Sequence, residues 1–132
     1  MPYVLIVDDD AATREMVSAF LKSSGYESRV AANGLDALEK VADELPDLIV
    51  LGVEMPVLDG YETLASLKSD CWTSNIPVIM LSAHQDSCEV NKALELGAFD
   101  YISKPTGPFD LLQAVRAAHG GASSAADDTP SG

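Results

Sequence analysis

The chain has 132 residues, 47% of them hydrophobic, with a mean hydropathy of +0.09, which predicts one globular domain rather than a disordered segment. Eight basic residues stand against 21 acidic ones, and a formal charge of −13 argues against direct contact with nucleic acid or an anionic membrane. The short N-terminal apolar run lacks basic residues, so neither a signal peptide nor a membrane span is predicted. Cys71 and Cys88 form no CxxC pair, which indicates reduced, buried or half-buried thiols in a cytoplasmic protein.

The first half of the chain alternates short apolar runs with helical patterns. Three strands are predicted, over Tyr3–Val7, Glu27–Ala31 and Leu48–Leu51. The third is apolar throughout, the pattern of a strand buried on both faces. Two helices are predicted between them from apolar residues at helical spacing, namely Met16, Phe20 and Leu21 in the first, and Leu35, Leu38, Val41, Ala42 and Leu45 in the second. Gly25 and Pro46 are typical of the ends of these helices.

The second half continues the same alternation. Strands are predicted over Pro77–Leu81 and Phe99–Ser103. Helices are predicted over Gly60–Ser69, with Tyr61, Leu64 and Leu67 inward; over Ser87–Leu96, with Val90, Ala93, Leu94 and Leu96 inward; and around Phe109, Leu112 and Val115. One domain therefore covers residues 1–119. Residues 120–132 are small and polar without periodicity, typical of a flexible tail or truncated linker.

Five strand–helix repeats predict an α/β fold, a doubly wound parallel sheet with helices on both faces. Strands of this number and length favour the flavodoxin-like order 2-1-3-4-5. With that order, the carboxyl ends of the first, third, fourth and fifth strands meet at one edge. We therefore expect Asp8, Asp9, Gly52, Ser82 and Lys104 to converge there, although they are distant in sequence.

The residue types in this cluster suggest a particular chemistry. Adjacent carboxylates repel each other and favour a hard cation such as Mg²⁺, while a hydroxyl and an ammonium could hold a small oxyanion against it. Metal-assisted phosphoryl chemistry is the class this predicts. The alternative for Asp8, Asp9 and Asp10 is helix capping, for which one aspartate suffices; we assign capping to Asp10.

At this point the run from Tyr3 to about His119 resembles a response-regulator receiver domain of two-component signalling. The matching features occur in order along the chain: Asp8-Asp9 after the first strand, MPVLDG after the third, Ser82-Ala83 after the fourth, and YISKP at the fifth. Each motif is weak alone, but together they cover nearly the whole length.

The resemblance implies roles for individual residues. It makes Asp9 a direct Mg²⁺ ligand, Asp8 a ligand through water, and the backbone carbonyl of Glu54 a further ligand. Ser82 would bond a phosphoryl oxygen and Lys104 would pair with it. Tyr101 resembles an aromatic switch that alters the surface of the fourth helix and fifth strand. The bond before the proline that matches Pro105 is usually cis in the family.

One position departs from the family. The phospho-acceptor aspartate is replaced by Gly52, which has no carboxylate to carry phosphate or ligate metal. Three explanations are open: a natural pseudo-receiver that works without phosphate, an engineered replacement in an ordinary Mg²⁺-dependent receiver, or a structural glycine with another residue accepting phosphate. The first is favoured, so we expect Mg²⁺ to bind weakly if at all, and no enzyme activity.

The partners expected from the resemblance are a histidine kinase or another signalling protein, an output domain after the tail, and a second copy bound through the fourth helix, fifth strand and fifth helix. Plainer interpretations also exist: packing for Tyr101, a salt bridge to Asp8 or Asp9 for Lys104, and a solvated loop for His84. A small haloacid-dehalogenase-like phosphatase, with Asp8 as nucleophile and Asp10 as acid, is a rival. A flavin-binding module is a third possibility, which the acidic loop after Val7 disfavours.

Overall fold

The architecture was obtained from a computed structural model, which describes residues 3–55, 57–82, 87–103 and 113–118. Five strands form, in chain order β1 (Val4–Val7), β2 (Ser28–Ala31), β3 (Leu48–Gly52), β4 (Val78–Ser82) and β5 (Asp100–Ser103). Four helices alternate with them: α1 (Ala11–Ser23), α2 (Gly34–Asp43), α3 (Gly60–Ser69) and α4 (Ser87–Glu95). Residues 113–118 are also helical.

All five strands are parallel and lie in the order β2-β1-β3-β4-β5, which confirms the predicted flavodoxin-like fold. The register aligns the strand ends: Val7 lies opposite Leu51, Gly52 opposite Leu81, and Ser82 opposite Ser103. The carboxyl ends of four strands therefore lie side by side along one edge of the sheet, as the sequence predicted.

The side chains of the strands alternate between two cores. One core packs alternate strand residues such as Leu5, Leu51 and Met80 against α2, α3 and α4. The other packs Ile6, Val50 and their neighbours against α1 and the helical segment 113–118. Because helices cover both faces, β1, β3 and β4 are buried at every position, which explains their unbroken apolar runs.

The inward faces of three helices differ from the prediction. In α1 the buried residues are Thr13, Val17 and Leu21, whereas Met16 is exposed. In α2 they are Gly34, Ala37 and Val41. Leu35 and Ala42 are exposed, as are Leu45 just after this helix and Leu94 of α4. An apolar pattern identifies these helices, but not how closely each one approaches its neighbours.

Close packing of α2 on α3 explains part of this difference. A Cβ at Gly34 would overlap Thr63 Oγ1 and lie 2.7 Å from the Leu58 carbonyl oxygen, so the two helices meet through small groups. The larger leucines of α2 are displaced from the contact. Cys71 is also exposed, contrary to the expectation for it, while the side chain of Cys88 lies outside the described residues. In the parts of the chain described above, no helix is long and apolar enough to span a bilayer.

Candidate functional site

Gly52 and Asp8 are adjacent at the exits of the two central strands. Both are buried, and a Cβ built on Gly52 would lie 2.9 Å from Asp8 Oδ2 and 3.2 Å from the Val7 carbonyl oxygen. A side chain at position 52 would therefore project directly beside the Asp8 carboxylate. The structure thus brings together Gly52 and Asp8, two of the residues predicted to converge. A residue larger than glycine at position 52 would direct its side chain at the Asp8 carboxylate.

The backbone of the loop after β1 fixes the orientation of Asp8. Its Oδ1 accepts the Asp10 backbone N–H at 2.9 Å, while its own backbone carbonyl accepts a hydrogen bond of 2.8 Å from Arg14 Nη1. The loop thus keeps a buried, oriented carboxylate at the edge of the sheet.

Asp10 caps α1, as predicted. Its side chain accepts the Ala12 backbone N–H at 3.2 Å and the Thr13 hydroxyl at 2.9 Å. These bonds satisfy donors at the start of a helix, where four N–H groups have no partner within the helix. Of the three consecutive aspartates, Asp8 is therefore buried at the candidate site, Asp9 is exposed and Asp10 caps α1.

The predicted metal ligands differ in burial. Asp9 and Glu54 are exposed, whereas Asp8 is buried. Across residues 3–55, 57–82, 87–103 and 113–118, no group of three or more His, Cys, Asp or Glu side chains is placed to hold a metal ion. Gly52 has no side-chain oxygen, and the acidic side chain beside it is that of Asp8. The set of acidic ligands is therefore one carboxylate smaller than the resemblance implies.

Ser82 and Tyr101 occupy the strand ends beyond Gly52. Ser82 is fully buried at the end of β4, one residue past the Leu81 that pairs with Gly52. Tyr101 pairs with Met80 and is half-buried against the core that includes α4. Ser82 thus lies on the strand beside Gly52, and Tyr101 one strand further out. Lys104, Pro105 and His84 lie outside the described residues, so their predicted roles stay predictions.

The turn after β3 is held close to the strand by Gly60. The Gly60 N–H donates to the Val53 carbonyl at 2.8 Å, and a Cβ on Gly60 would overlap the Gly52 carbonyl oxygen. Asp59 caps α3 and forms a capping box with Glu62. The turn motif that we recognised in the sequence therefore packs the start of α3 onto the backbone of residue 52.

Sequence reasoning missed Arg14. Its guanidinium bonds to the Asp8 carbonyl and brings a positive charge near the acidic loop. A signal was available, since Arg14 stands one helical turn after Asp10 on a chain with only eight basic residues. That spacing does not predict whether Arg14 bonds to a carboxylate or, as observed, to a backbone carbonyl.

Solved structures share this architecture. The chemotaxis protein CheY4 of Vibrio cholerae superposes with a TM-score of 0.84 at 32% identity, covering 89% of this chain and 98% of that one. The signal receiver domain of a signal transduction histidine kinase from Syntrophus aciditrophicus gives a TM-score of 0.84 at 34% identity, with 92% of each chain covered. The likeness therefore extends over nearly the whole of both structures.

Proteins related in sequence agree with these structural similarities. The DNA-binding response regulator MtrA of Mycobacterium tuberculosis is 39% identical over 114 residues, which cover 86% of this chain and 49% of MtrA. This chain thus spans about half the length of that curated relative. The family model described as the response regulator receiver domain matches residues 4–116. The chain belongs to the response regulator receiver domain family, and it is a receiver domain of two-component signalling.

Proposed function

We propose that this receiver domain does not accept phosphate at position 52 and acts as a phosphorylation-independent interaction module. The observation that supports this proposal is the buried Gly52 beside Asp8 Oδ2. An aspartyl phosphate requires a carboxylate as nucleophile, and glycine provides none at the one position that faces Asp8 from β3.

Weak Mg²⁺ binding is part of the same proposal. In this family the ion would be held by Asp9, by Asp8 through water, and by the Glu54 carbonyl, and it would neutralise charge on a phosphoryl group. Mg²⁺ depends on the number and charge of its oxygen ligands. With Gly52 in place of a carboxylate, we expect the affinity to be well below that of a receiver with three acidic side chains.

A phosphatase function receives less support. The rival would need Asp10 as a general acid, but both oxygens of Asp10 accept hydrogen bonds at the start of α1. Both oxygens are therefore engaged by donors of α1 and not by a substrate. We therefore assign no catalytic role to the chain.

The proposed partners are a histidine kinase or another signalling protein, and a second copy bound through α4, β5 and the fifth helix. MtrA is named as a DNA-binding regulator, and this chain matches about half of it. By analogy, we propose that an output domain follows the tail. DNA contacts would belong to that output domain, because the receiver carries a formal charge of −13.

Incubation with acetyl phosphate and Mg²⁺, followed by intact mass measurement, tests the proposal. We expect no phosphate on the chain with Gly52. G52D should gain one phosphate because it restores a nucleophile beside Asp8, and G52N, of matching size but without a carboxylate, should gain none. Circular dichroism of all three proteins checks that they are folded.

The outcomes separate the explanations for Gly52. A phosphate on the chain with Gly52 would overturn the proposal and point to another acceptor, which peptide mapping would locate. Phosphorylation of G52D alone would mean that the rest of the pocket is still competent, as expected for a replaced acceptor aspartate. If G52D also stays unmodified, the pocket has lost more than one group, as expected for a long-standing pseudo-receiver.

A further inference from the structure

An apolar groove of about 580 Å³ lies between the second halves of α2 and α3. Leu38, Ala42 and Leu45 line one wall, and Ser66, Leu67 and Trp72 contribute to the other. These residues belong to the ends of helices that run back from the strand exits, so the groove lies toward the edge where strands begin. It is therefore separate from Gly52 and Asp8, so ligand binding in the groove would not require phosphorylation.

Large apolar groups at the groove are exposed without contributing to the core. Trp72 is 76% exposed, and Leu45 is 46% exposed. Leu35, 50% exposed, extends the stripe by one turn of α2, because residues 35, 38 and 42 recur at helical spacings of three and four. Leu45 follows just after the end of the helix. A contiguous apolar surface of this kind is typical of a binding site, and tryptophan is enriched among residues that dominate binding energy.

Trp72 is held outward by an ordered loop. Its backbone N–H donates to Asp70 Oδ1 at 2.9 Å, and the Thr73 N–H donates to the Asp70 carbonyl at 3.0 Å. Lys68 Nζ donates to the carbonyls of Ser74 and Ile76 at 3.0 and 2.9 Å, and burial lowers the pKa of this ammonium. A side chain presented by a fixed loop loses less entropy on binding than one on a mobile loop.

The charged residues around the groove indicate which kind of ligand it would bind. Asp70 lines the groove, and Glu39 is exposed on α2, four residues after Leu35 and three before Ala42. The two salt bridges found in the described part of the chain, Arg29–Glu44 and Lys40–Asp36, use other carboxylates. The rim is therefore acidic and favours a positively charged ligand.

Two other occupants fit poorly. A second copy would bring another chain of charge −13 against the acidic rim, which is unfavourable. The tail after residue 119 has Asp127 and Asp128 and no large apolar side chain, so it offers neither the anchors nor the charge. A groove between two helices accepts a third helix with apolar residues at i, i+3, i+4 and i+7.

We propose that the groove between α2 and α3 is a docking site for a positively charged amphipathic helix of a partner protein, with Trp72 and Leu45 as its main anchors. The apolar side of that helix would cover Leu38 and Ala42, and its basic side would face Asp70 and Glu39.

A fluorescence titration tests this directly, because Trp72 is the only tryptophan in the sequence. The probe is a synthetic amphipathic helix of leucine and lysine, about 18 residues long so that it is helical. A peptide with glutamate in place of lysine is the control. We expect the Leu–Lys peptide to shift Trp72 emission to shorter wavelength, less at high salt, and the Leu–Glu peptide to have no effect.

Matched variants locate the site. Leu45 and Leu94 are both 46% exposed, but only Leu45 lines the groove. L45S should weaken binding at least about fivefold, and L94S should change it within about twofold. A second pair uses exposed helical alanines: A42K should block the groove and repel the peptide, whereas A65K, on another side of α3, should not. Unfolding curves confirm that each variant is folded.

The proposal is overturned if the Leu–Lys peptide does not change Trp72 emission or if both peptides bind equally. It is also overturned if L94S weakens binding as much as L45S, or A65K as much as A42K. Sedimentation of the chain alone adds one further outcome. A dimer disrupted by L45S would show that a second copy occupies the groove, which also overturns the proposal.

Discussion

At the scale of single residues, Val57 has a backbone conformation that its side chain disfavours. Its φ is +72°, in the left-handed region that β-branched residues rarely adopt. The side chain is 73% exposed, so packing does not offset the strain. This residue lies in the turn between Gly52 and α3, close to the candidate site.

Substitution of Val57 by glycine should stabilise the domain. Glycine adopts positive φ without a Cβ clash, and strain of this kind costs about 1–3 kcal/mol. The added backbone entropy of glycine in the unfolded chain offsets part of the gain, so we expect V57G to raise the free energy of unfolding by about 1 kcal/mol. Urea denaturation measures the change. V57A, which keeps the Cβ, should gain less, and a loss of stability in V57G would show that the turn is not strained.

Single residues were predicted where one physical reason dominated. Asp10 was correctly assigned to capping because a helix start needs one acceptor. Gly52 and Asp8 were correctly placed together because parallel strands align their ends. The prediction that Met16 faces the core was wrong. The buried residue one turn earlier is Thr13, which the apolar pattern did not include because threonine is polar.

At the scale of elements, the start of α3 is packed onto the exit of β3 through a glycine. A Cβ on Gly60 would overlap the Gly52 carbonyl oxygen and lie 2.8 Å from Val53 Cα. Both neighbours are backbone atoms, which cannot rotate away as a side chain can. The contact therefore sets the distance between the helix and the strand that carries the site.

Alanine at position 60 should destabilise the domain strongly. Overpacking costs about 1–3 kcal/mol, and we expect G60A to lie at the upper end because only backbone surrounds it. G25A is the control: Gly25 has a φ of +89° but no heavy atom within 4 Å of a Cβ, so it should lose only about 1 kcal/mol of conformational strain. Thermal and urea unfolding compare them. Equal losses in the two variants would mean that α3 moves away without cost.

Elements were predicted better than their faces. Strand order and helix positions follow from burial on both sides of the sheet and from turn residues, which the sequence displays directly. The face of α2 depends on how closely it approaches α3, which small residues at Gly34 and Ala37 decide. Leu35 and Leu45 were therefore assigned to the core, although both are exposed.

At the scale of the whole molecule, the charge is strongly unbalanced. Twenty-one acidic residues repel one another against only eight basic ones, and such self-repulsion weakens the compact state. Salt screens exposed charges beyond about 10 Å at 0.1 M. The stability of this domain should therefore depend on ionic strength.

Raising NaCl from about 0.02 M to about 0.5 M, where the screening length becomes much shorter, should stabilise the domain by about 1 kcal/mol, or about 3–5 °C in Tm. Scanning calorimetry measures the shift. D43K replaces an acid in the last turn of α2, where a cation suits the helix dipole, and should raise Tm more at low salt than at high salt. A Tm independent of salt would show that the acidic residues are too dispersed to interact.

The helices run back from the strand exits, so Gly52 and the groove beneath Trp72 lie at opposite rims of the sheet. A protein docked at one rim does not obstruct the other. Under the two proposals made above, the domain would hold two different proteins simultaneously without being phosphorylated. Such an adaptor would act by raising the local concentration of each bound protein near the other.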